Sequence, residues 1–196
     1  MTKGRIEAFS DGVFAIIITI MVLDLHVPHG TQLADLEPVL PVLLCYVLSF
    51  VYVGIYWNNH HHMFQACRSV NGAILWANLH LLFWLSLLPF ATAWMGENHF
   101  TAVPTALYGL ILLMASFAYI VLQQAIIRNE GDGSILKEAV GEDWKGKLSA
   151  PLYIVAILAT KYSPWLGEAI IIAVALIWLI PDRRIEKRIG KGGGAE

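Results

Sequence analysis

The chain has 196 residues, of which 57% are hydrophobic and only 14% are charged. This composition is too apolar for an ordinary soluble domain, and it indicates a membrane protein. The formal net charge of −2 gives no indication of a nucleic-acid partner.

Six stretches of the sequence are apolar enough to cross a bilayer as helices, since a span needs about 20 mainly apolar residues. The predicted spans are residues 9–27, 39–57, 73–95, 104–127, 148–162 and 165–180. The fifth is the shortest of them. The sequence therefore predicts an all-α protein with six transmembrane helices in one domain, residues 1–181, followed by a basic, Gly-rich cytoplasmic tail, residues 182–196.

The distribution of Lys and Arg predicts the orientation of these spans. Every Lys and Arg except Lys161 falls on one side of the six-span arrangement. By the positive-inside rule, both termini and the loop of residues 129–147 are cytoplasmic. Cys45 and Cys67 form no recognisable metal or disulfide pattern, so no cofactor is predicted.

The first span carries a one-sided pattern. At 100° per residue, one stripe within about 60° of Ile16 collects most of its large apolar side chains and one hydroxyl. Its members are Phe9, Gly12, Ile16, Thr19, Ile20 and Leu23. This stripe is a candidate pore lining.

Asp11 lies on the opposite side of the same helix and is predicted to point into its own bundle. A carboxylate inside a membrane costs several kcal/mol unless it is partnered. The nearest cation is Arg5, and the other candidate partners are Trp57, His60, His61, Asn78, His80 and Trp84. The alternative is that Asp11 only caps the start of the helix at the interface.

The stretch YWNNHHHMF, which contains His60 and His61, is the strongest polar cluster of the chain. Three consecutive histidines diverge by 100° on a helix, and this spacing is poor for a metal site. A hydrogen-bonded structural network is the favoured interpretation, with proton handling as the alternative. Other polar residues within spans, such as Thr92 and Ser116, are interpreted as contacts that join helices.

Two further residues bear on function. Asp24 follows the first span, where a carboxylate at a channel mouth would concentrate cations, or where it would simply be solvated. Ser10 and Asp11 are adjacent, so they diverge by 100° and cannot form a Ser-His-Asp triad. The sequence therefore does not indicate an enzyme.

Three motifs carry a family resemblance. Arg5, Phe9, Ser10 and Asp11 spell R-x-x-x-F-S-D at the start of the first span. A Tyr-Trp pair precedes Asn59-His60-His61 in the second, and the third reads N-L-x-L-x-F-x-x-S-L-L-P-F from Asn78 to Phe90. In this order, the motifs resemble those of prokaryotic members of the transmembrane protein 175 family of potassium channels. His62 departs from the family pattern, since Arg is common there in relatives.

The resemblance implies a homotetramer of six-helix subunits in the plasma membrane of a prokaryote, with the first helices lining a pore for potassium ions. Selectivity for potassium over sodium is expected to be weak to moderate, and there is no Thr-Val-Gly-Tyr-Gly filter. By position, the hydrophobic constriction falls on Ile16, Thr19, Ile20 and Leu23. A network that orients the pore helix is expected to contain Arg5, Phe9, Ser10, Asp11, Trp57, His60, His61 and Asn78.

Two alternative functions stay open at this point. One is a proton channel or a proton-coupled carrier, and the other is a His-rich membrane protein that binds a metal or haem. Proton coupling of the measured currents would favour the first, and co-purifying zinc or haem would favour the second.

Overall fold

The computed structural model describes residues 2–131, 134, 136–137 and 144–179. These residues contain seven α-helices. Their bounds are α1 Lys3–Met21, α2 Leu40–Gln65, α3 Gly72–Ser86, α4 Leu88–Glu97, α5 Ala102–Glu130, α6 Trp144–Ala159 and α7 Pro164–Leu179. Short 3-10 turns, Val22–Asp24 and Leu33–Val39, flank the loop that joins α1 to α2. The predicted tail, residues 182–196, lies outside the described residues.

The membrane segments agree with the prediction of an all-helical membrane protein. Four helical segments are long and apolar enough to cross a bilayer: Lys3–Asp24, Leu33–Gln65, Gly72–Glu97 and Ala102–Glu130. Pro164–Leu179 is a shorter apolar helix. With α6, which has 16 residues, these segments make up the six-helix arrangement.

The second helix is longer than the predicted span, which ended at Trp57. It continues to Gln65 and includes all three histidines. Nothing in this stretch breaks a helix, and His60, Met63 and Phe64 are buried against the rest of the protein. Tertiary packing therefore extends the helix beyond the apolar window.

The third predicted span is divided into α3 and α4 at Leu87. Pro89 stands in the first turn of α4. Its ring has no N–H and clashes with the carbonyl of Leu85, four residues earlier, and this interrupts the helical hydrogen bonds between α3 and α4. The two helices together still form one segment that is long and apolar enough to cross a membrane.

The helix α5 lies at the centre of the subunit and packs on α3, α4, α6 and α7. Close approach of α5 to α6 depends on Gly109, where an added Cβ would stand 3.1 Å from Ile157 Cγ1. The helix α1 packs instead on α2, α3 and α4. It therefore lies to one side of the bundle, with part of its surface uncovered.

Candidate functional site

One face of α1 holds the helix against its own subunit. Its buried residues are Ile6, Ser10, Phe14, Ile17 and Met21. Their spacing of three or four residues places them along one side of the helix. This buried face fixes which side of α1 remains uncovered.

The uncovered side of α1, continued by Leu23 in the 3-10 turn Val22–Asp24, is the apolar stripe predicted from the sequence. It is called here the α1 ridge: Phe9, Gly12, Ile16, Thr19, Ile20 and Leu23. The exposed fractions are 52% for Phe9, 57% for Ile16, 46% for Ile20 and 77% for Leu23. Gly12 and Thr19 are exposed as well. The grouping of these six residues on one face agrees with the helical periodicity of the sequence.

Thr19 provides the only side-chain polar atom on the ridge. Its hydroxyl donates to the carbonyl oxygens of Ala15, at 2.9 Å, and Ile16, at 3.1 Å. The hydroxyl proton is therefore engaged with the helix, and the lone pairs of Oγ1 remain for a ligand on the exposed side.

A buried hydrogen-bond chain joins α1 to α3 and α2. Asn78 Nδ2 donates to Ser10 Oγ at 3.0 Å, and Asn78 Oδ1 lies 2.8 Å from His60 Nε2. Since the amide oxygen is an acceptor, His60 Nε2 is the donor. Phe14 packs edge-on against the His60 ring, with centroids 5.5 Å apart. These contacts fix the rotation of α1 about its own axis.

A second hydrogen bond, on the surface of the subunit, also joins α1 to α2. Trp57 Nε1 donates to Asp11 Oδ1 at 2.9 Å. The His61 ring stacks on Trp57, with centroids 6.1 Å apart, and Gln65 Nε2 lies 2.9 Å from His61 Nε2. Asp11 is exposed beside α2 and does not point into the bundle as the sequence predicted, but its donor Trp57 is one of the predicted partners.

The structure brings together most of the predicted network but not all of it. Arg5 and Phe9 are exposed and stand apart from these contacts, and within the described residues no ion pair joins Arg5 to Asp11. His80 pairs with Trp84 one turn away and does not contact Asp11. Within the described part of the chain, no three His, Cys, Asp or Glu side chains come together as a metal site.

Asp24 lies beside a cavity of about 650 Å³ at one end of the bundle. Other titratable residues line the same cavity: His26, His29, Asp35, Glu97 and His99. His99 and Phe100 adopt positive φ values of 49° and 58°, which is uncommon for residues other than glycine. The sequence pattern indicated Asp24, which His26 and His29 closely follow, but it did not indicate Glu97 and His99, because they are distant along the chain.

The sequence matches a family model and several named proteins. The family model described as endosomal/lysosomal potassium channel TMEM175 matches residues 5–89. A protein of Chryseobacterium sp. (strain P1-3) named a potassium channel is 57% identical over 189 residues, covering 96% of this chain and 98% of that protein. The human protein named endosomal/lysosomal proton channel TMEM175 is 36% identical over 103 residues, covering 46% of this chain and 20% of the human protein.

A solved structure has the same fold. The crystal structure of a lysosomal potassium-selective channel TMEM175 homologue from Chamaesiphon minutus superposes with a TM-score of 0.73 at 30% identity. The match covers 91% of this chain and 96% of the Chamaesiphon chain.

Proposed function

The chain belongs to the TMEM175 family, and on that premise we propose that it is a potassium-selective cation channel whose pore is lined by the α1 ridge. The observation that carries this proposal is the division of α1 into two faces. One face is buried on the subunit, and the other exposes Ile16, Ile20 and Leu23.

Several copies of the chain are needed to enclose a pathway, because one helix cannot surround an ion. Four copies is the number implied by the family resemblance, and we propose a homotetramer with α1 at the symmetry axis. Rings of Ile16, Ile20 and Leu23 form narrow apolar collars. Such collars exclude water when they are closed and gate by dewetting. A small rotation or splaying of α1 opens them.

Selectivity for potassium over sodium is weak to moderate in this mechanism. Potassium is the larger and more weakly hydrated ion, so it loses less free energy when a narrow apolar collar removes part of its water. The Thr19 side chains of the assembled subunits supply oxygen atoms between the apolar collars. Their hydroxyl protons are donated to backbone carbonyls of the helix, so the oxygen lone pairs are available to the ion. These oxygens tune the ion preference.

The contacts behind the ridge hold it toward the axis. Ser10, Asn78 and His60 fix the buried side of α1, and Trp57 and Asp11 fix its flank. Asp11 positions α1 through its hydrogen bond with Trp57 and does not contact the permeating ion. Arg5 and Phe9 are exposed within the subunit, and Phe9 forms the inner end of the α1 ridge.

The cellular setting follows from the charges and the family. We propose that the protein spans a prokaryotic plasma membrane several times with both termini in the cytoplasm, so that Asp24 lies at the outer mouth. TMEM175 proteins are ion channels, and no enzymatic activity is proposed. Potassium is the permeant ion, and the mechanism requires no cofactor.

A bilayer recording with opposed potassium and sodium gradients tests this proposal. Purified protein is fused into planar bilayers, and the reversal potential is read at constant pH. A reversal potential displaced toward that of potassium supports the channel. A reversal potential at zero, or the lack of any current, contradicts it.

A proton channel is the second candidate, because the human relative is named a proton channel. A pH gradient imposed at equal potassium and sodium on both sides discriminates between the two. A reversal potential that follows the proton gradient favours proton conduction over potassium conduction.

A further inference from the structure

The cavity beside Asp24 gathers charged and titratable groups that neither the α1 ridge nor its supporting contacts use. It has a volume of about 650 Å³ and lies between the loop that joins α1 to α2, the start of α2 and the end of α4. Among the described residues that line it, none is Lys or Arg. The charge of the cavity is therefore set by three carboxylates and three imidazoles: Asp24, Asp35 and Glu97, and His26, His29 and His99.

Close packing brings these groups together from two distant parts of the chain. Gly96, near the end of α4, lies directly against the start of α2, because an added Cβ would stand 2.8 Å from a Cα atom of that helix. This contact places Glu97 and His99 beside the loop between α1 and α2. The far side of the loop is held by Asp35, whose carboxylate accepts a hydrogen bond of 2.8 Å from the Gln32 N–H. The six groups are thus fixed around one cavity.

Asp24 links the cavity to the α1 ridge. It directly follows Leu23, the last residue of the ridge, in the turn Val22–Asp24. The Asp24 carboxylate interacts electrostatically with Glu97 across the cavity and with His26. In addition, His26 Nδ1 lies 2.9 Å from the Asp24 carbonyl oxygen. The charge of the cavity therefore acts on the end of the ridge.

The net charge of the cavity depends on pH. Its three histidines are exposed, so they exchange protons with the surrounding water. Histidine is the side chain that changes charge between about pH 5 and 8, whereas aspartate and glutamate remain mostly ionised over this range. With neutral histidines, the three carboxylates give each subunit a negative cavity. With protonated histidines, three positive charges cancel the three negative ones.

From this geometry we propose that the cavity is an outer vestibule that concentrates potassium ions at the pore mouth, and that protonation of its three histidines abolishes this effect. A negative cavity raises the local concentration of cations, and a neutral one does not. External acidification therefore lowers the potassium conductance without changing the ion preference of the pore. This inference rests on the proposed function, because it requires that potassium ions enter the pore beside Leu23.

The ionic strength separates this mechanism from direct block of the pore by protons. Exposed charges act over about 30 Å in 0.01 M salt but over only about 3 Å in 1 M salt. The charge of the vestibule therefore reaches the pore mouth in dilute salt and is screened in concentrated salt. Block by a proton bound within the pore would persist in both. The effect of pH on conductance should accordingly be large in dilute potassium and nearly absent in concentrated potassium.

Single-channel recording in planar bilayers tests the vestibule. Potassium chloride is about 0.01 M on both sides, and the pH is lowered from about 8 to about 5 in one chamber at a time. We expect the wild-type conductance to fall about threefold or more when the chamber that faces the vestibule is acidified. Acidification of the other chamber should change it little. In about 1 M potassium chloride, the conductance should be nearly the same at both pH values.

A triple variant removes the titratable groups and keeps the carboxylates: His26→Asn, His29→Asn and His99→Asn in one chain. Asparagine tolerates the positive φ of 49° at His99, and at His26 it keeps a donor close to the position of Nδ1. This variant should keep the wild-type conductance at about pH 8 and lose the response to acid.

Two single variants complete the test. Glu97→Gln removes one exposed carboxylate of the vestibule and should lower the conductance in dilute potassium at about pH 8. His62→Asn is the matched control, because it lies about 30 Å along α2 from Val42 at the cavity, and it should respond to pH as the wild type does.

The outcomes separate the vestibule from the channel itself. An equal wild-type conductance at both pH values in dilute potassium would overturn the vestibule and leave the potassium channel intact. So would a fall in conductance that persists in concentrated potassium or in the triple variant, since protons would then act elsewhere in the pore. A wild-type protein that carries no potassium current would contradict the proposed function and the vestibule together.

Discussion

Trp57 on α2 donates a hydrogen bond of 2.9 Å to Asp11 on α1, and both residues lie on the surface of the subunit. This bond, together with the buried Ser10–Asn78–His60 chain, defines the rotation of α1 about its axis. The rotation matters because it places the apolar ridge on the uncovered side.

Removal of the Asp11 carboxylate should weaken assembly more than ion selectivity. Asp11→Ala leaves the Trp57 N–H without its acceptor, at a cost of about 1 kcal/mol for an exposed hydrogen bond. We expect a lower yield of oligomer in size-exclusion chromatography and an unchanged reversal potential. Asp11→Asn retains an acceptor oxygen and should recover most of the oligomer. A stable Asp11→Ala oligomer with altered ion preference would contradict the role of Asp11 in positioning α1.

The buried chain should contribute more stability than the surface contact. Asn78→Ala leaves Ser10 and His60 without their partner, and unsatisfied buried groups cost about 1–3 kcal/mol each. We expect a clear fall in the thermal denaturation temperature of the detergent-solubilised protein. Asn58→Ala, on an exposed face of α2, is the control and should have little effect. Equal denaturation temperatures for the two variants would show that the chain does not orient α1.

A polar residue at the predicted collar should increase the leak current. Ile16→Asn wets the apolar ring and lowers the barrier to ion entry, so the open probability at rest should rise. Ile18→Asn places the same side chain two residues away on a different face of α1, and it should leave the current near the wild-type value. Single-channel recording measures both variants. An unchanged current in Ile16→Asn would exclude a collar at this position.

Thiol labelling should identify the outer end of the pore. Leu23→Cys presents an exposed thiol on the ridge, and a charged methanethiosulfonate added from outside should reduce the current. The native cysteines give no background, because Cys45 and Cys67 are buried. In addition, burial and then the nearby Glu130 raise the pKa of the Cys67 thiol, which lowers its reactive thiolate fraction.

Leu33→Cys is the matched control for this experiment. It is the first residue of the 3-10 turn Leu33–Val39 and is 87% exposed, so it should react with the reagent without loss of current. Labelling of Leu23→Cys that leaves the current unchanged would place this residue away from the pore.

The sequence predicted the parts of this site that follow from periodicity. The ridge from Phe9 to Leu23 appears on a helical wheel because α1 is regular. The identity of the Asp11 partner does not follow from the sequence, since six candidate donors lie in the second and third spans and their facing sides depend on helix packing. Phe9 and Arg5 share the motif of Asp11, but within the subunit they lie apart from it.

The buried polar residues of α5 were missed for a different reason. Thr105, Tyr108, Ser116 and Gln123 recur at helical spacing within an apolar helix, so a signal was present in the sequence. Isolated polar residues in spans usually join helices by hydrogen bonds. Under this interpretation, the fact that these four residues share one face of the helix was not recognised. Only the structure shows that Glu168 and Tyr52 face the same interior.

The central claim, that the α1 ridge lines the ion pathway, is tested most directly by an experimental structure of the oligomer in lipid nanodiscs. The measured quantity is the distance of Ile16, Ile20 and Leu23 from the symmetry axis, compared with that of the other faces of α1. The claim predicts four copies of these residues around the axis as the narrowest apolar rings of an otherwise open path. A ridge that contacts lipid, or an axis filled by another segment of the chain, would contradict it.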